Sequence, residues 1–182
     1  MPGPLVRRGE RVTLRTAERE DRPFLQRACA NPRLRHAVGN PVMDREGFAE
    51  SREDDDADRF VVCLDDEAGP GAPDDDPRRV GGASVTDTSY KRPELGYWLV
   101  PEVHGDGHGG ELLSLLVEYA FRQYDAPAVG AAAYDFNDAS RGVLESVGFE
   151  EEGRRRKFMF VDGEHRDLCQ YGLLREEWRD RS

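Results

Sequence analysis

The stretch VHGDGHGGELLSLLVEYAF, residues 103–121, places a glycine-rich turn directly before an amphipathic run. Four of the six residues from 105 to 110 are glycine, more than a turn made for geometry alone requires. Glycines ahead of a helix leave backbone N–H groups unshielded beside the positive end of the helix dipole. Such a turn is typical of an anion site, and pyrophosphate is its commonest occupant. The identity of that ligand decides the class of the protein.

A dinucleotide is one candidate ligand, because Gly105, Gly107 and Gly110 fit the pattern G-x-G-x-x-G. That fingerprint follows the first strand of its domain at once, whereas here about a hundred residues precede the turn. An NAD-dependent oxidoreductase is therefore a minor alternative. No Gly-Lys-Ser/Thr follows, which argues against a Walker A loop. His104 and His108 have an i, i+4 spacing without a third ligand, so we expect no metal site.

The charge of the chain limits its partners. The formal net charge is −11, and Lys91 and Lys157 are the only lysines. This balance argues against binding to nucleic acid or to an anionic membrane. A lysine-poor, aspartate-rich surface is typical of proteins from salt-accumulating halophiles, although a GC-rich genome also favours arginine over lysine. The 182 residues predict a single domain over 1–182, with residues 1–9 as a flexible N-terminus.

The expected location is the cytoplasm. No apolar run approaches the roughly 20 residues that span a bilayer, and the first residues lack the apolar core of a signal peptide. Cys29, Cys63 and Cys169 lack C-x-x-C spacing, so neither a disulfide framework nor a zinc site is expected.

Hydrophobic patterning predicts a mixed sheet with helices on its faces. The predicted strands are 11–17, 59–66, 78–90, 93–101 and 126–135, with a terminal hairpin that turns at Asp162-Gly163. The predicted helices are 18–30, a short one within 44–54, 110–124 and 137–149, whereas Pro32 and residues 39–41 are expected to form turns. The connector 67–77 is expected to be an acidic, mobile loop.

The residues around the glycine turn carry a resemblance. The segments ELGYWLVPEVHGDGHGGELL (94–113) and AYDFNDASRGVLESVGF (133–149) resemble the GNAT superfamily of acetyl-CoA-dependent N-acetyltransferases, in its RimJ/RimL-like branch. The resemblance begins at RVTLRTAEREDRPFL (11–25) and ends at LLREEW (173–178). It implies an α/β (α+β) fold with a mixed, mostly antiparallel sheet of about seven strands. It also implies a V-shaped splay between the fourth and fifth strands.

The resemblance implies that the turn holds the pyrophosphate of coenzyme A rather than that of NAD. The family's motif, Gln/Arg-x-x-Gly-x-Gly/Ala, falls on His104, Gly107 and Gly109, so that His104 departs from the usual residue. Leu99 and Val100 would lend backbone hydrogen bonds to the pantetheine arm. The residues expected to bind acetyl-CoA are Leu99, Val100, His104, Gly105, Gly107, His108, Gly109, Gly110, Asn137 and Arg141, the last within reach of the nucleotide phosphate.

Acetyl transfer to an amine needs a base for the amine and a proton for the leaving thiolate. By resemblance, Asn137 contacts the cofactor arm and Ser140 protonates the sulfur, although Asn137 is also a good helix N-cap. Glu94 opens a predicted strand near the approach of the amine and is the predicted base, with Asp135 in reserve. Tyr97 is assigned to packing.

The acceptor expected from the resemblance is the α-amine of a protein N-terminus. The alternatives are a small amine, such as an amino acid, polyamine or aminoglycoside, and a non-catalytic acyl-CoA-binding module. The resemblance also allows a homodimer.

Overall fold

The structure is a computed structural model that describes residues 2–52, 56–64, 77–89 and 92–181. Within these ranges the chain forms eight strands and six α-helices. In chain order they are β1 (Leu5–Arg8), β2 (Val12–Thr16), α1 (Arg22–Ala30), α2 (Pro32–Val38), α3 (Arg45–Glu50), β3 (Ala57–Leu64), β4 (Arg78–Thr86), β5 (Glu94–Leu99), α4 (His108–Gln123), β6 (Ala128–Tyr134), α5 (Asp138–Val147), β7 (Glu150–Val161), β8 (Glu164–Leu174) and α6 (Arg175–Arg181).

The strands form one sheet in the order β1-β2-β3-β4-β5-β6-β8-β7. Every neighbouring pair is antiparallel except β5 and β6, which confirms the mixed, mostly antiparallel sheet. The sheet has one strand more than the seven expected. The additional strand is β1, which lies within residues 1–9, predicted above to be a flexible N-terminus. It pairs with β2 and places Val6 against the core.

Two helices were not predicted from the sequence. Helix α2 occupies a segment expected to turn, because Pro32 lies in the first helical turn, where a missing N–H leaves no intrahelical bond unmade. Asn31 caps this helix by accepting the N–H of Arg33, and Gly39 ends it with φ of 69°. Helix α6 follows β8 and packs Trp178 against the core. The predicted acidic connector 67–77 lies outside the described residues, except for Pro77.

The sheet opens between β5 and β6, which confirms the predicted splay. Their register has only two pairs, Glu94 with Gly130 and Leu95 with Ala131. On its other edge β5 stays paired with β4 as far as Leu99. Because β6 diverges from β5 beyond Leu95, the peptide groups of β5 that point away from β4 face a gap there.

Cross-strand pairs share a face of the sheet, and this divides the core in two. The back face is covered by α4 and α5, whose apolar residues include the fully buried Leu112, Leu113, Leu116 and Leu144. The front face carries a smaller cluster in which Leu25 and Cys29 of α1 pack with Phe48 of α3 and against Trp98. The splay connects the two faces.

Candidate active site

A cleft of about 940 Å³ lies at the splay and is lined by residues from both faces of the sheet, which we call its back and front lobes. The back lobe is defined by His104, Gly107, His108, Ser140 and Val143. The front lobe is defined by Leu34, Val38, Phe48, Arg52 and Arg59. A cleft of this volume is large enough for an extended cofactor arm or a drug-sized ligand.

The structure brings most of the predicted site residues to this cleft. Those that line it are Leu99, His104, Gly105, Gly107, His108, Gly109, Gly110, Asn137 and Ser140. Three predicted residues, Val100, Arg141 and Glu94, are not among its described lining residues.

The glycine turn adopts a backbone that side chains disfavour. Gly105 has φ of 92° and Gly107 has φ of 81°, both in the left-handed region. Gly107 is the N-cap of α4, so the first N–H groups of a 16-residue helix have no partner within the helix. Gly109 serves packing as well, since a Cβ there would lie 3.2 Å from Cγ2 of Val143 on α5. The turn therefore has the geometry of an anion cradle.

His108 opens α4 and adds a second polar group to this lobe. Its side chain is buried, and its Nδ1 has no hydrogen-bond partner among the described residues. Leaving a buried polar atom unpaired costs free energy that a ligand can recover. The residues of the back lobe thus fit an anionic group such as a pyrophosphate.

His104 acts within the protein. Its Nε2 lies 2.9 Å from the carbonyl oxygen of Leu99, and because a carbonyl only accepts, Nε2 carries the proton. This bond ties the end of β5 to the turn. It also occupies the Leu99 carbonyl, which leaves the Leu99 N–H as a backbone donor that faces the gap.

The prediction for the backbone of Val100 is not matched by the structure. Its N–H donates to the carbonyl of Val80 at 2.8 Å, and its carbonyl accepts the N–H of Val103 at 3.2 Å. Both groups are used within the fold, because the N–H continues the antiparallel pairing with β4 one residue beyond β5 and the carbonyl closes the short turn that follows.

Asn137 and Ser140 lie at the start of α5. The Asn137 side chain accepts the Ser140 N–H at 3.1 Å, as an N-cap does, and donates from Nδ2 to the carbonyl of Ala37 on α2 at 3.2 Å. Tyr97, assigned to packing, lines the cleft, and its hydroxyl lies 3.4 Å from Ser140 Oγ. Burial raises the pKa of Tyr97 to about 12, against a smaller lowering by the hydrogen bond to Ser140. Tyr97 is therefore a neutral O–H donor at physiological pH.

The predicted base lies at the edge of the front face. Glu94 shares that face with Gly96, two residues along β5, and its carboxylate lies 3.7 Å from Arg92 Nη2. Burial raises the pKa of Glu94, and the positive charge of Arg92 opposes that shift. Asp135, the reserve base, is not a described lining residue of the cleft; its Oδ1 is buried and unpartnered among the described residues. The role of Glu94 stays a prediction.

Arg141 is not among the described lining residues of the cleft, and its contact with a nucleotide phosphate stays a prediction. Its Nε donates to the Tyr171 hydroxyl at 3.1 Å, and its guanidinium reaches Asp138 at 3.6 Å and Glu151 at 3.8 Å. The ring and carboxylate on β8 and β7 hold the side chain there because they satisfy its charge and donors.

An arginine that the sequence analysis missed lies beside the turn. Nη1 of Arg11 donates to the Asp106 carbonyl at 3.0 Å, and the Arg11 backbone N–H donates to Oε1 of Glu111 at 2.8 Å. No local pattern could have indicated this contact, because 95 residues separate Arg11 from Asp106. Arg52 and Arg59 in the front lobe were missed for the same reason.

In the part of the chain that the structure describes, no three His, Cys, Asp or Glu side chains are grouped so as to hold a metal ion. No helix there is both long and apolar enough to cross a membrane.

A sheet splayed at its centre, with a glycine turn and a helix N-terminus at the mouth of the splay, defines an acetyltransferase-type fold. The family model described as "Acetyltransferase (GNAT) domain" matches residues 11–150. The chain belongs to the GNAT acetyltransferase family, whose enzymes use acetyl-CoA.

Several known proteins are similar to this chain. The putative ribosomal N-acetyltransferase YdaF of Bacillus subtilis is 38% identical over 92 residues, which cover 50% of each chain. The match thus spans about half the length of that relative. The uncharacterized N-acetyltransferase YokL, from the SPbeta prophage of Bacillus subtilis, is 27% identical over 176 residues and 93% of each chain.

Solved structures share the fold. The spermidine N-acetyltransferase of Vibrio cholerae, in complex with CoA and spermine, superposes with a TM-score of 0.82 at 20% identity, over 94% of this chain and 99% of that one. RimL, a ribosomal L7/L12 alpha-N-protein acetyltransferase in complex with coenzyme A, has a TM-score of 0.77 at 18% identity, over 96% and 99%.

Proposed function

We propose that this protein is an N-acetyltransferase that moves an acetyl group from acetyl-CoA to a primary amine, most specifically the α-amine of a protein N-terminus. One observation carries the proposal: the cleft runs through the splay and joins an anion cradle on one face to a separate lobe on the other. The two substrates can then enter from opposite sides and meet at β5.

Acetyl-CoA supplies a thioester carbonyl, which an amine attacks to form the amide and release the thiolate. The back lobe would hold its pyrophosphate at the glycine turn and at His108. The Leu99 N–H faces the gap and is a candidate donor to the carbonyl oxygen as negative charge develops there. The hydroxyls of Ser140 and Tyr97, which lie 3.4 Å apart, are the proposed source of the proton for the thiolate.

Glu94 is the proposed base, acting through a water molecule. Its carboxylate is on the same face as the front lobe, and its raised pKa strengthens it as a proton acceptor. An amine with a pKa of about 8 to 10 is mostly protonated at neutral pH, so that an acceptor for its proton is required.

The names of the relatives support a protein acceptor without excluding a small one. YdaF is named as a ribosomal acetyltransferase and RimL acts on a ribosomal protein, whereas the Vibrio cholerae structure holds spermine. Acetylation of a small amine is therefore the second candidate. The charge of the front lobe bears on the choice between these two acceptors.

A thermal-shift titration tests the proposal. The full chain in molar KCl is titrated with acetyl-CoA, coenzyme A and NAD, and thiol release is then followed with a set of amines. Stabilisation by both coenzyme A species together with amine-dependent thiol release supports the proposal. Stabilisation without thiol release for any amine would instead indicate an acyl-CoA-binding module, and stabilisation by NAD alone would overturn the assignment.

We also propose that the host of this protein accumulates salt, that the protein is cytoplasmic and that it forms a homodimer. The net charge of −11 supports the first, since dense like charges destabilise a compact chain until salt screens them. A melting temperature that rises steadily into molar KCl is the expected result, and a flat or falling curve would contradict it.

A further inference from the structure

The front lobe carries positive charge in a protein that is otherwise strongly acidic. Arg52, two residues after the end of α3, and Arg59 on β3 both line it, whereas no Asp or Glu of the described residues lines the cleft. The formal net charge of the protein is −11, so two arginines side by side in one lobe are the opposite of its average charge.

The register of the sheet places Arg59 toward the splay. Arg59 pairs with Ser84, and Ser84 pairs with Gly96, so these three residues form one row across the front face. Gly96 has no side chain and is at the edge of the splay, which leaves the end of this row open. A ligand that lies along the row would have its reacting end at β5 and its far end at Arg59.

One donor of the Arg59 guanidinium is unpaired within the described chain. Its Nε is buried and has no hydrogen-bond partner among those residues. Its sequence neighbour Asp58 points to the back face, where it accepts a 2.7 Å hydrogen bond from Tyr119 and another from Tyr124. That carboxylate is therefore committed to α4 and does not neutralise Arg59.

Arg52 is held in place by apolar and sulfur contacts. Its guanidinium lies 4.7 Å from the centroid of the Phe48 ring, and the Cys29 thiol is close enough to influence its pKa. Burial lowers the pKa of Arg52; the charge of Arg59 adds to that lowering, and Cys29 opposes it. Holding two cations out of water beside each other costs free energy. An anion bound between them would remove that cost.

Building on the proposed function, we propose that the acetyl acceptor is an amine that also carries a carboxylate, which Arg59 and Arg52 bind in the front lobe. Two sources have this chemistry: the side chain of an acidic residue near a protein N-terminus, and the α-carboxylate of a free amino acid. Polycationic amines are disfavoured, because the same arginines repel them.

The experiment compares acceptors that differ only in the carboxylate. Thiol release from acetyl-CoA is measured with the peptide amides Ala-Asp-Ala and Ala-Asn-Ala, with alanine and alaninamide, and with spermidine. Binding of the matching N-acetyl products to the coenzyme A complex is measured by calorimetry. We expect the acid of at least one pair to exceed its amide about tenfold in kcat/KM and in product affinity. The pair that shows the difference identifies the source.

Variants of Arg59 separate recognition from folding. Arg59→Gln should abolish the preference for the acid, and Arg59→Lys should restore part of it. Arg59→Glu should reverse it, improving Ala-Lys-Ala amide or spermidine over the acid, a gain that an unfolded protein cannot show. Arg122→Gln, an exposed arginine on α4, is the matched control and should behave as the wild type.

The outcomes distinguish this inference from the function on which it rests. Equal use of acid and amide, a preference for spermidine, or no binding of any acid would overturn the carboxylate site while acetyl-CoA still binds. Failure of acetyl-CoA to bind would overturn the proposed function itself.

Discussion

The hydroxyl of Tyr97 on β5 lies 3.4 Å from Oγ of Ser140 on α5, so the two hydroxyls meet at the mouth of the splay. The same Tyr97 hydroxyl is 3.4 Å from the Ser140 carbonyl oxygen. Burial keeps Tyr97 protonated, with its pKa raised to about 12, and in the proposed mechanism the pair supplies the proton for the thiolate.

Ser140→Ala is expected to lower kcat about tenfold, at the low end of general-acid effects, because a thiolate leaves with modest help. The KM for acetyl-CoA should change little, since the glycine turn is untouched. Tyr97→Phe should act in the same direction, and the double variant should lose less than the product of the two single losses. Steady-state thiol release checks this, and independent, multiplicative losses would mean that the hydroxyls do not act together.

Gly107→Ala is expected to raise the Kd for coenzyme A about tenfold. A Cβ at φ of 81° costs roughly 1–2 kcal/mol, and the turn must shift to relieve it. Gly142→Ala in α5 is the matched control, since its Cβ would meet nothing within 4 Å; it should leave binding unchanged and stabilise the helix by about 1 kcal/mol. Calorimetric titration of both variants is the measurement, and similar affinities in the two would remove the turn from the site.

The value of kcat/KM is expected to fall as the solution is acidified. The midpoint of this fall should lie above pH 4.5, the ordinary pKa of the carboxyl group, because burial raises the pKa of Glu94. A base works only when it is ionised, so activity should be lost as the pH falls through that raised pKa. Glu94→Gln should lower the rate and remove this limb of the profile, whereas Glu118→Gln on the exposed side of α4 should keep it. An acid limb that persists in Glu94→Gln would assign it to another group.

Asp21→Ala is expected to destabilise the fold by about 3–5 kcal/mol, because it removes a buried carboxylate from its ion pair. Asp21 is fully buried, 2.7 Å from Nε of Arg79, and also accepts the backbone N–H of Glu18 at 2.9 Å. Urea unfolding measures the loss.

The control for this variant is Glu118→Ala, which breaks the exposed pair with Arg122 and should cost less than about 1 kcal/mol. Equal losses in the two variants would show that the buried pair does not anchor α1 to β4.

Local patterns were enough to predict several elements. The turn at Asp162 and Gly163 has φ of 49° and 84°, as a tight hairpin turn requires, and Asn137 caps α5 as expected from its position. Helix α2 was not predicted, because proline occurs both in the first turn of a helix and in loop turns. Pro32 alone therefore does not distinguish the two structures. Strand β1 was missed because four residues carry little pattern of their own and acquire their pairing from β2.

The sequence by itself determined the family, the glycine turn with its helix, and most of the residues that line the back lobe. The family and its lining residues follow from the resemblance to the GNAT superfamily, whereas the turn and its helix follow from short-range chemistry, in which backbone conformation, capping and alternation depend on near neighbours. Only the tertiary structure decided where long side chains point. It turned Arg141 toward Tyr171, brought Arg11 to Asp106, and set Arg59 in one row with Ser84 and Gly96. These contacts join residues far apart in the chain, and sheet register, which creates them, is a property of the whole fold.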